Sequence, residues 1–477
     1  MKKKKLLRIT LSCMLFISFV LSSCVKNDVD TNPNIDTSPA STPSPTTNPH
    51  PATSIVCPDT ELIQNSPDEP IEIYSWNEDF GDLFEKSYAI VQPEFEYFCS
   101  LNESSSYTEK LDSMLASGDG APDLFTLDAS ISSKYVNSES TLDITELGID
   151  YAELNNQFPY TYESMTSESG QIKALSWDAC PGVIFYNRTL ADEYLGVSDP
   201  EDVQPYFADW DTFLATARQM AADSDGTVRV ISGIDDIYRS FSQQRSQPWV
   251  INGNIEVEQI MLDLLDYSKI LKDDELTFDT VQWTDGWTAN KSNESVLAYF
   301  GPLWLAKYTM GFWYEDDGVT LREGANPTTG DWACVAAPTP YFWGGTYLAA
   351  SSYNNEKEIS GDILRYFTID TDSMKDLVSE EYVLFPNNIY LCISLASDNA
   401  NGFAYLDGQN PYPILLETAL KMDVPKTFPD VPETFPFEYE CDRIYLSILR
   451  KYIDGEYKSV QEAEIAFMDE CNANDIG

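Results

Sequence analysis

From Ile71 onward the apolar residues switch between a period of two and a period of 3.6, and this alternation restricts the fold more than any single motif. Ile71-Glu72-Ile73-Tyr74-Ser75-Trp76 alternates at first, as a strand does. Phe80, Leu83, Phe84, Tyr88 and Val91 then fall at helical spacing, ending before Pro93. Glu94 to Phe98 predicts a second strand. Tyr107, Leu111, Met114 and Leu115 predict a second helix face, closed by Gly118. Asp123 to Leu127 predicts a third strand. A βαβα order implies an α/β fold, with a parallel sheet covered by helices. Later helices are predicted at about 210–222, 256–271, 441–453 and 459–471.

The alternation begins only after two segments of another kind. Met1 to Arg8 holds five positive charges, and an apolar run follows from Ile9 to Leu21. Residues 1–23 therefore predict a signal peptide, with an apolar run too short to span a bilayer as a mature helix. The run closes on Leu21-Ser22-Ser23-Cys24. This resembles the bacterial lipobox, which implies lipidation of Cys24 and a protein anchored on the extracytoplasmic face of the cell membrane. Residues 25–69 are rich in Asn, Asp, Thr, Ser and Pro, as in Ser41-Thr42-Pro43-Ser44-Pro45. Such a segment buries too little to offset its ordering entropy, so it predicts a flexible linker.

About 400 residues remain, enough for two domains. The formal net charge is -49, and removal of residues 1–23 takes away five positive charges and no negative ones, leaving -54. A body this acidic repels phosphate backbones, so nucleic acid is not an expected partner. The single histidine, His50, lies in the linker, so the folded body has none. That removes histidine-based nucleophile pairs, HExxH metal sites and imidazole bases together. Cys57, Cys99, Cys180, Cys334, Cys392, Cys441 and Cys471 show no CxxC spacing and no disulfide framework, and most read as buried thiols. No metal or cofactor is expected. Enzymatic work would fall to carboxylates, with glycoside hydrolysis the natural case.

Several segments then follow in a telling order. They are Leu115-Ala116-Ser117-Gly118-Asp119-Gly120-Ala121-Pro122-Asp123-Leu124; Ile172-Lys173-Ala174-Leu175-Ser176-Trp177 with Pro181-Gly182 and Phe185-Tyr186-Asn187-Arg188; and Asp209-Trp210-Asp211-Thr212-Phe213. Phe300-Gly301-Pro302-Leu303-Trp304, and Ala337-Pro338-Thr339-Pro340 with Gly344-Gly345-Thr346-Tyr347, complete the series. Their order and spacing resemble the extracellular solute-binding proteins of carbohydrate ABC transporters, the group that includes maltose-binding protein. Ser176 and Asp209 depart from the family's usual proline and threonine. The resemblance implies a two-lobe periplasmic-binding-protein-like fold with a ligand cleft between the lobes. It places residues 70–178 plus 351–387 in the N-terminal lobe and 179–350 plus 388–477 in the other. It also implies a monomeric, non-enzymatic protein that delivers a carbohydrate, of the oligosaccharide class, to membrane permease subunits. A surface glycosidase and a glycan-binding adhesin are the alternatives.

Sugar chemistry independently selects candidate residues. A pyranose has apolar C–H faces, which aromatic rings cover, and a rim of hydroxyls, which carboxylates, amides and arginine bind. Trp76, Asn77, Glu78 and Asp79 follow the first strand, at the end where ligands gather in α/β sheets. Asp79 also reads as a helix cap. Trp177 and Asp178 stand at the first expected crossing, either packing the hinge or touching ligand. Trp304 follows Gly301-Pro302, and Trp343 precedes Gly344 and Gly345, where bare backbone can approach a ligand. Trp249 reads equally as core or as platform. Asp128, at the end of the third strand, accepts a hydroxyl or forms a turn. Arg443 and Tyr439 lie near the start of a late helix. Trp210 opens an amphipathic helix and reads as core.

Overall fold

The computed structural model describes residues 70–92, 96–102, 106–292, 294–309, 328, 330–378, 383–422 and 438–476. Cys24, residues 1–69, His50 and Cys57 lie outside the described residues, as does the side chain of Tyr439. The strands are β1 Ile71–Ser75, β2 Tyr97–Leu101, β3 Leu124–Asp128, β4 Ala174–Ser176 and β5 Val183–Asn187. They continue as β6 Val250–Ile251, β7 Asn254–Ile255, β8 Ala298–Gly301, β9 Trp332–Val335 and β10 Thr346–Ala350. The second strand starts three residues later than the pattern placed it.

The first lobe is built on a five-stranded sheet of order β2-β1-β3-β10-β4. β1 pairs parallel with β2 and β3, whereas β10 runs antiparallel to β3 and β4. Both faces are covered, as the strand alternation requires. Ile71, Ile73, Leu124 and Leu348 join Phe80, Phe84 and Phe367 on one face. Tyr74, Phe125, Leu127 and Ala349 join Tyr107 and Leu111 on the other. The second lobe holds a three-stranded antiparallel sheet, β8-β5-β9, enclosed by the largest apolar cluster. Two late helices, Glu438–Ile453 and Val460–Ala473, pack together in this lobe.

Three stretches of chain cross between the lobes side by side. Trp177 belongs to the core of the first lobe and Ala179 to that of the second. Asp178 bridges Pro386, Ala179 donates its N–H to the Phe385 carbonyl, and Asn387 donates to the Trp177 carbonyl. The third stretch joins through Gly182 to the Tyr341 carbonyl and Trp343 to the Cys180 carbonyl. The Asn387 side chain ties the crossing together. It accepts from the Phe158 N–H at 3.1 Å and donates to Thr161 Oγ1 and the Ser176 carbonyl, both at 2.9 Å.

One expected boundary moves. The second crossing was placed at residue 350, but β10 belongs to the first lobe's sheet, so the chain crosses at Gly344-Gly345. The run Tyr347-Leu348-Ala349-Ala350 is buried throughout and carries no sign of which sheet it will join.

Candidate functional site

The loop after β1 is held by short-range hydrogen bonds. Ser75 Oγ donates to the Asn77 carbonyl at 2.7 Å, and the Trp76 N–H donates to Thr126 Oγ1 of β3 at 3.2 Å. Asn77 Nδ2 donates to Asp79 Oδ2 at 2.8 Å. Two polar atoms of this loop, Asn77 Oδ1 and the Trp76 indole N–H, are buried with no hydrogen-bond partner among the described residues. Such groups are costly unless something fills their bonding capacity. Glu78 is exposed and opens the helix Asp79–Lys86 without a side-chain cap bond.

Asp128 ends β3 and caps the helix Ala129–Val136, its Oδ1 accepting from the Ser130 N–H at 2.8 Å. The turn role and nearness to the cleft coexist. Asp128 is half-buried, and its charge is close enough to act on both Cys180 and Arg239 in the second lobe. Asp178 lies at the hinge and accepts from the N–H groups of Cys180 at 3.0 Å and Phe385 at 3.2 Å. Burial pushes its carboxyl up to about 6, against those two bonds, and the nearby charge of Asp79 adds to the rise. Asp79, Asp128 and Asp178 therefore form an acidic group where the lobes meet.

The second lobe contributes an aromatic wall. Gly301-Pro302 turns the chain into the helix Leu303–Thr309 and puts Trp304 on its first turn. The Trp304 indole donates to the Trp343 carbonyl at 3.1 Å, and the two rings meet edge to face at 4.8 Å. Gly344 and Gly345 follow in the left-handed region, at φ of 74° and 97°. A Cβ on Gly344 would stand 3.5 Å from the Trp304 ring, and one on Gly345 would stand 3.4 Å from the Asp178 carbonyl oxygen. Only glycine fits this turn without strain. The Arg239 guanidinium lies 4.0 Å from the Trp343 ring centre, a cation–π contact that places one positive charge beside the acids.

A third tryptophan, absent from the sequence candidates, completes the wall. Trp283 stacks on Trp304 at 6.1 Å and 14°, and meets Trp343 edge to face at 5.8 Å. It is 57% exposed, whereas Trp343 is 7% exposed. Trp283 thus presents the open ring, Trp304 is half-buried, and Trp343 backs them both. The backbone of Trp283 has φ 69°, a left-handed conformation that is rare and costly for a bulky residue. Strain of this kind collects where a side chain must be displayed. Behind the wall, Trp287 donates its indole N–H to Asp236 Oδ1 at 3.1 Å. Lys291 Nζ sits 3.3 Å from the Trp287 ring centre, without a hydrogen-bond partner among the described residues. Burial pushes Lys291 down to about 7, partly opposed by the Asp236 charge.

Other candidates fall elsewhere. Trp249 is fully buried between the late helices: its indole donates to Asp442 Oδ1 at 2.8 Å, and Phe467 packs at 4.8 Å. It is a core residue, and no face of it is open as a platform. Trp177 is 5% exposed and packs on Phe80 at 5.3 Å, so it supports the hinge. Arg443 pairs with Glu440 at 2.8 Å on an exposed helix face. Trp210 packs tilted against Phe241 at 4.4 Å, beside the second core. Trp304, Trp343 and Gly344 pack together with Trp283 and Arg239, Gly345 stands against Asp178, and the charge of Asp128 reaches Cys180 and Arg239 as that of Asp79 reaches Asp178.

Residues 67–368 match the family of bacterial extracellular solute-binding proteins. Among solved structures, the chain is similar to an extracellular solute-binding protein of family 1, at 19% identity and TM-score 0.66, over 83% of this chain and 100% of that one. It is also similar to the galacto-N-biose/lacto-N-biose I-binding protein of a Bifidobacterium longum ABC transporter, in complex with lacto-N-biose. That match has 16% identity and TM-score 0.62, over 86% of this chain and 98% of that one. An ABC substrate-binding protein of Listeria monocytogenes in complex with cycloalternan matches at 16% identity and TM-score 0.61, over 85% and 98%. No curated protein sequence matches the chain. The family match spans well over half of the sequence and the fold agrees over nearly all of the described body: the chain belongs to the bacterial extracellular solute-binding proteins.

Proposed function

We propose that this protein captures a neutral carbohydrate, an oligosaccharide of two or more rings, and delivers it to the permease of an ABC importer without breaking a bond. One observation carries the reading. The rings of Trp283, Trp304 and Trp343 form one wall, and in this reading the Asn77 Oδ1, which has no partner among the described residues, and the carboxylates of Asp79 and Asp128 face it across the hinge. Aromatic rings suit sugar faces, and the amide and carboxylates suit the hydroxyl rim. The acidic group and the net charge of -49 disfavour uronic or sulfated sugars, which leaves neutral ones. The Bifidobacterium and Listeria proteins, which bind lacto-N-biose and cycloalternan, support the same class. Closure of the lobes about the three crossings buries the ligand. In this reading Cys24 carries the lipid, the linker lifts a monomeric body off the membrane, and no metal or cofactor takes part.

A thermal-shift panel of manno-, xylo-, gluco- and galacto-oligosaccharides tests the proposal. A cognate sugar at about 100 times its dissociation constant stabilises the protein by about 2.7 kcal/mol. A panel with no stabilising glycan, alongside a stabilising peptide or amino acid, would replace carbohydrate by that solute.

A further inference from the structure

Six cysteines lie among the described residues, all as free thiols, and five of them are buried. Cys441 and Cys471 differ from the rest by facing each other. Cys441 is on the helix Glu438–Ile453 and Cys471 on Val460–Ala473, and their sulfurs are 4.0 Å apart with both side chains fully buried. Among the described residues this is the one pair of sulfurs within hydrogen-bonding reach. The contact holds the Cys471 thiol below its ordinary value, through its hydrogen bond with Cys441.

We propose that Cys441 and Cys471 form a disulfide in the exported protein and staple its two C-terminal helices together. A disulfide needs the sulfurs at about 2.05 Å, so the gap to close is about 2 Å, within the sweep of a side-chain rotation. The family is extracellular, and disulfides persist in that compartment. The oxidant is the disulfide of an extracytoplasmic thiol–disulfide oxidoreductase. The Cys471 thiolate attacks one sulfur of that disulfide and releases the other as a thiolate. Cys441 then loses its proton and attacks the mixed disulfide, forming the Cys441–Cys471 bond. Two electrons and two protons leave the pair, and the oxidant ends as a dithiol. Both sulfurs are inaccessible once the helices pack, so the reaction precedes final packing.

The staple acts on more than the hairpin. Glu438 and Asp442, on the first of these helices, hold Trp249 and Tyr238 by hydrogen bonds. The same helix touches Ala129–Val136 of the first lobe, which Asp128 caps. Fixing the hairpin therefore fixes the second lobe's side of the cleft.

The test uses the full chain, exported by its host and purified without reductant. The sample is quenched in acid, unfolded and treated with N-ethylmaleimide before and after reduction. The proposal expects Cys441 and Cys471 to resist labelling until reduction and to appear in one linked peptide. It also expects reductant to lower the melting temperature by about 4 °C, from closure of a loop of roughly 30 residues. The Cys441→Ser/Cys471→Ser variant should melt at a temperature that reductant does not change. Full labelling of both thiols without reduction overturns the proposal, as does a link from either one to another cysteine. The labelling result on the natural chain decides the matter even if the double variant fails to fold.

Discussion

Trp283 and Trp343 both touch Trp304 but are expected to answer mutation in different ways. Trp283 is 57% exposed and sits at φ 69°, so its folded conformation carries about 1–2 kcal/mol of backbone strain. Trp283→Gly removes that strain. It also removes three ring contacts, to Trp287, Trp304 and Trp343, worth about 0.5–1.5 kcal/mol each, and adds about 1 kcal/mol of unfolded-chain entropy. The strain relief offsets part of this loss, leaving about 2–3 kcal/mol, so the melting temperature should fall by about three degrees, less than for Trp343→Ala. Loss of an open platform should cost on the order of 2 kcal/mol of binding, or about 30-fold in dissociation constant. Trp343 is 7% exposed and backs the wall, so Trp343→Ala should cost about 3–5 kcal/mol of stability. It also strips Arg239 of its ring. Calorimetric titration with the cognate sugar, run beside the melting curves, separates the two. If Trp283→Gly keeps full affinity, or melts as early as Trp343→Ala, the division into displayed and backing rings is wrong.

Three further outcomes follow from the same geometry. Lys291 has a folded value near 7 against 10.5 for the free side chain, so between those values the unfolded chain binds more protons and stability rises with pH. Lys291→Met should flatten that slope and stabilise the protein at pH 7 by on the order of 3 kcal/mol, as read from melts between pH 6 and 10; an unchanged slope would mean that the ammonium is solvated. Cys24→Ala should abolish lipid attachment and release the protein from membranes, whereas retention of the variant in the membrane fraction would remove the anchor. Prolonged incubation with the best-binding glycan should leave it intact by mass spectrometry. Cleavage that scales with protein concentration would instead turn Asp79 and the raised Asp178 into a hydrolytic pair.

Periodicity reveals what repeats, and so the early strands and helices of the first lobe were legible. Ile71–Ser75 and Leu124–Asp128 form within one residue of where the pattern placed them, and Gly118 ends its helix in the left-handed conformation. Sheet membership is a tertiary property. The fully buried run of β10 reads the same whichever sheet receives it, so the second crossing was misplaced by several residues. Site residues divide in the same manner. The turns that bring Trp304 and Trp343 together beside the two glycines were legible because a turn beside a tryptophan leaves a local mark. Trp249 follows a proline much as a displayed ring would, and only the packing of two distant helices encloses it. Trp283 lies in the polar stretch Thr280-Val281-Gln282-Trp283-Thr284-Asp285, between helical patterns. A tryptophan outside any apolar stripe was the available signal, and it pointed the right way. Its partners, Trp304 and Trp343, are 21 and 60 residues away in sequence, so the wall itself could not be read.

The central claim is that these two lobes close on a neutral sugar. Isothermal titration of the soluble body with the best glycan from the panel tests it most directly, with a uronic-acid analogue of equal length as the comparison. The account predicts saturable binding of one neutral oligosaccharide per chain, with a negative heat-capacity change as the tryptophan wall is covered and at least tenfold weaker binding of the anionic analogue. Equal or tighter binding of the anionic analogue, or no heat with any glycan while another class of solute saturates the protein, would contradict it.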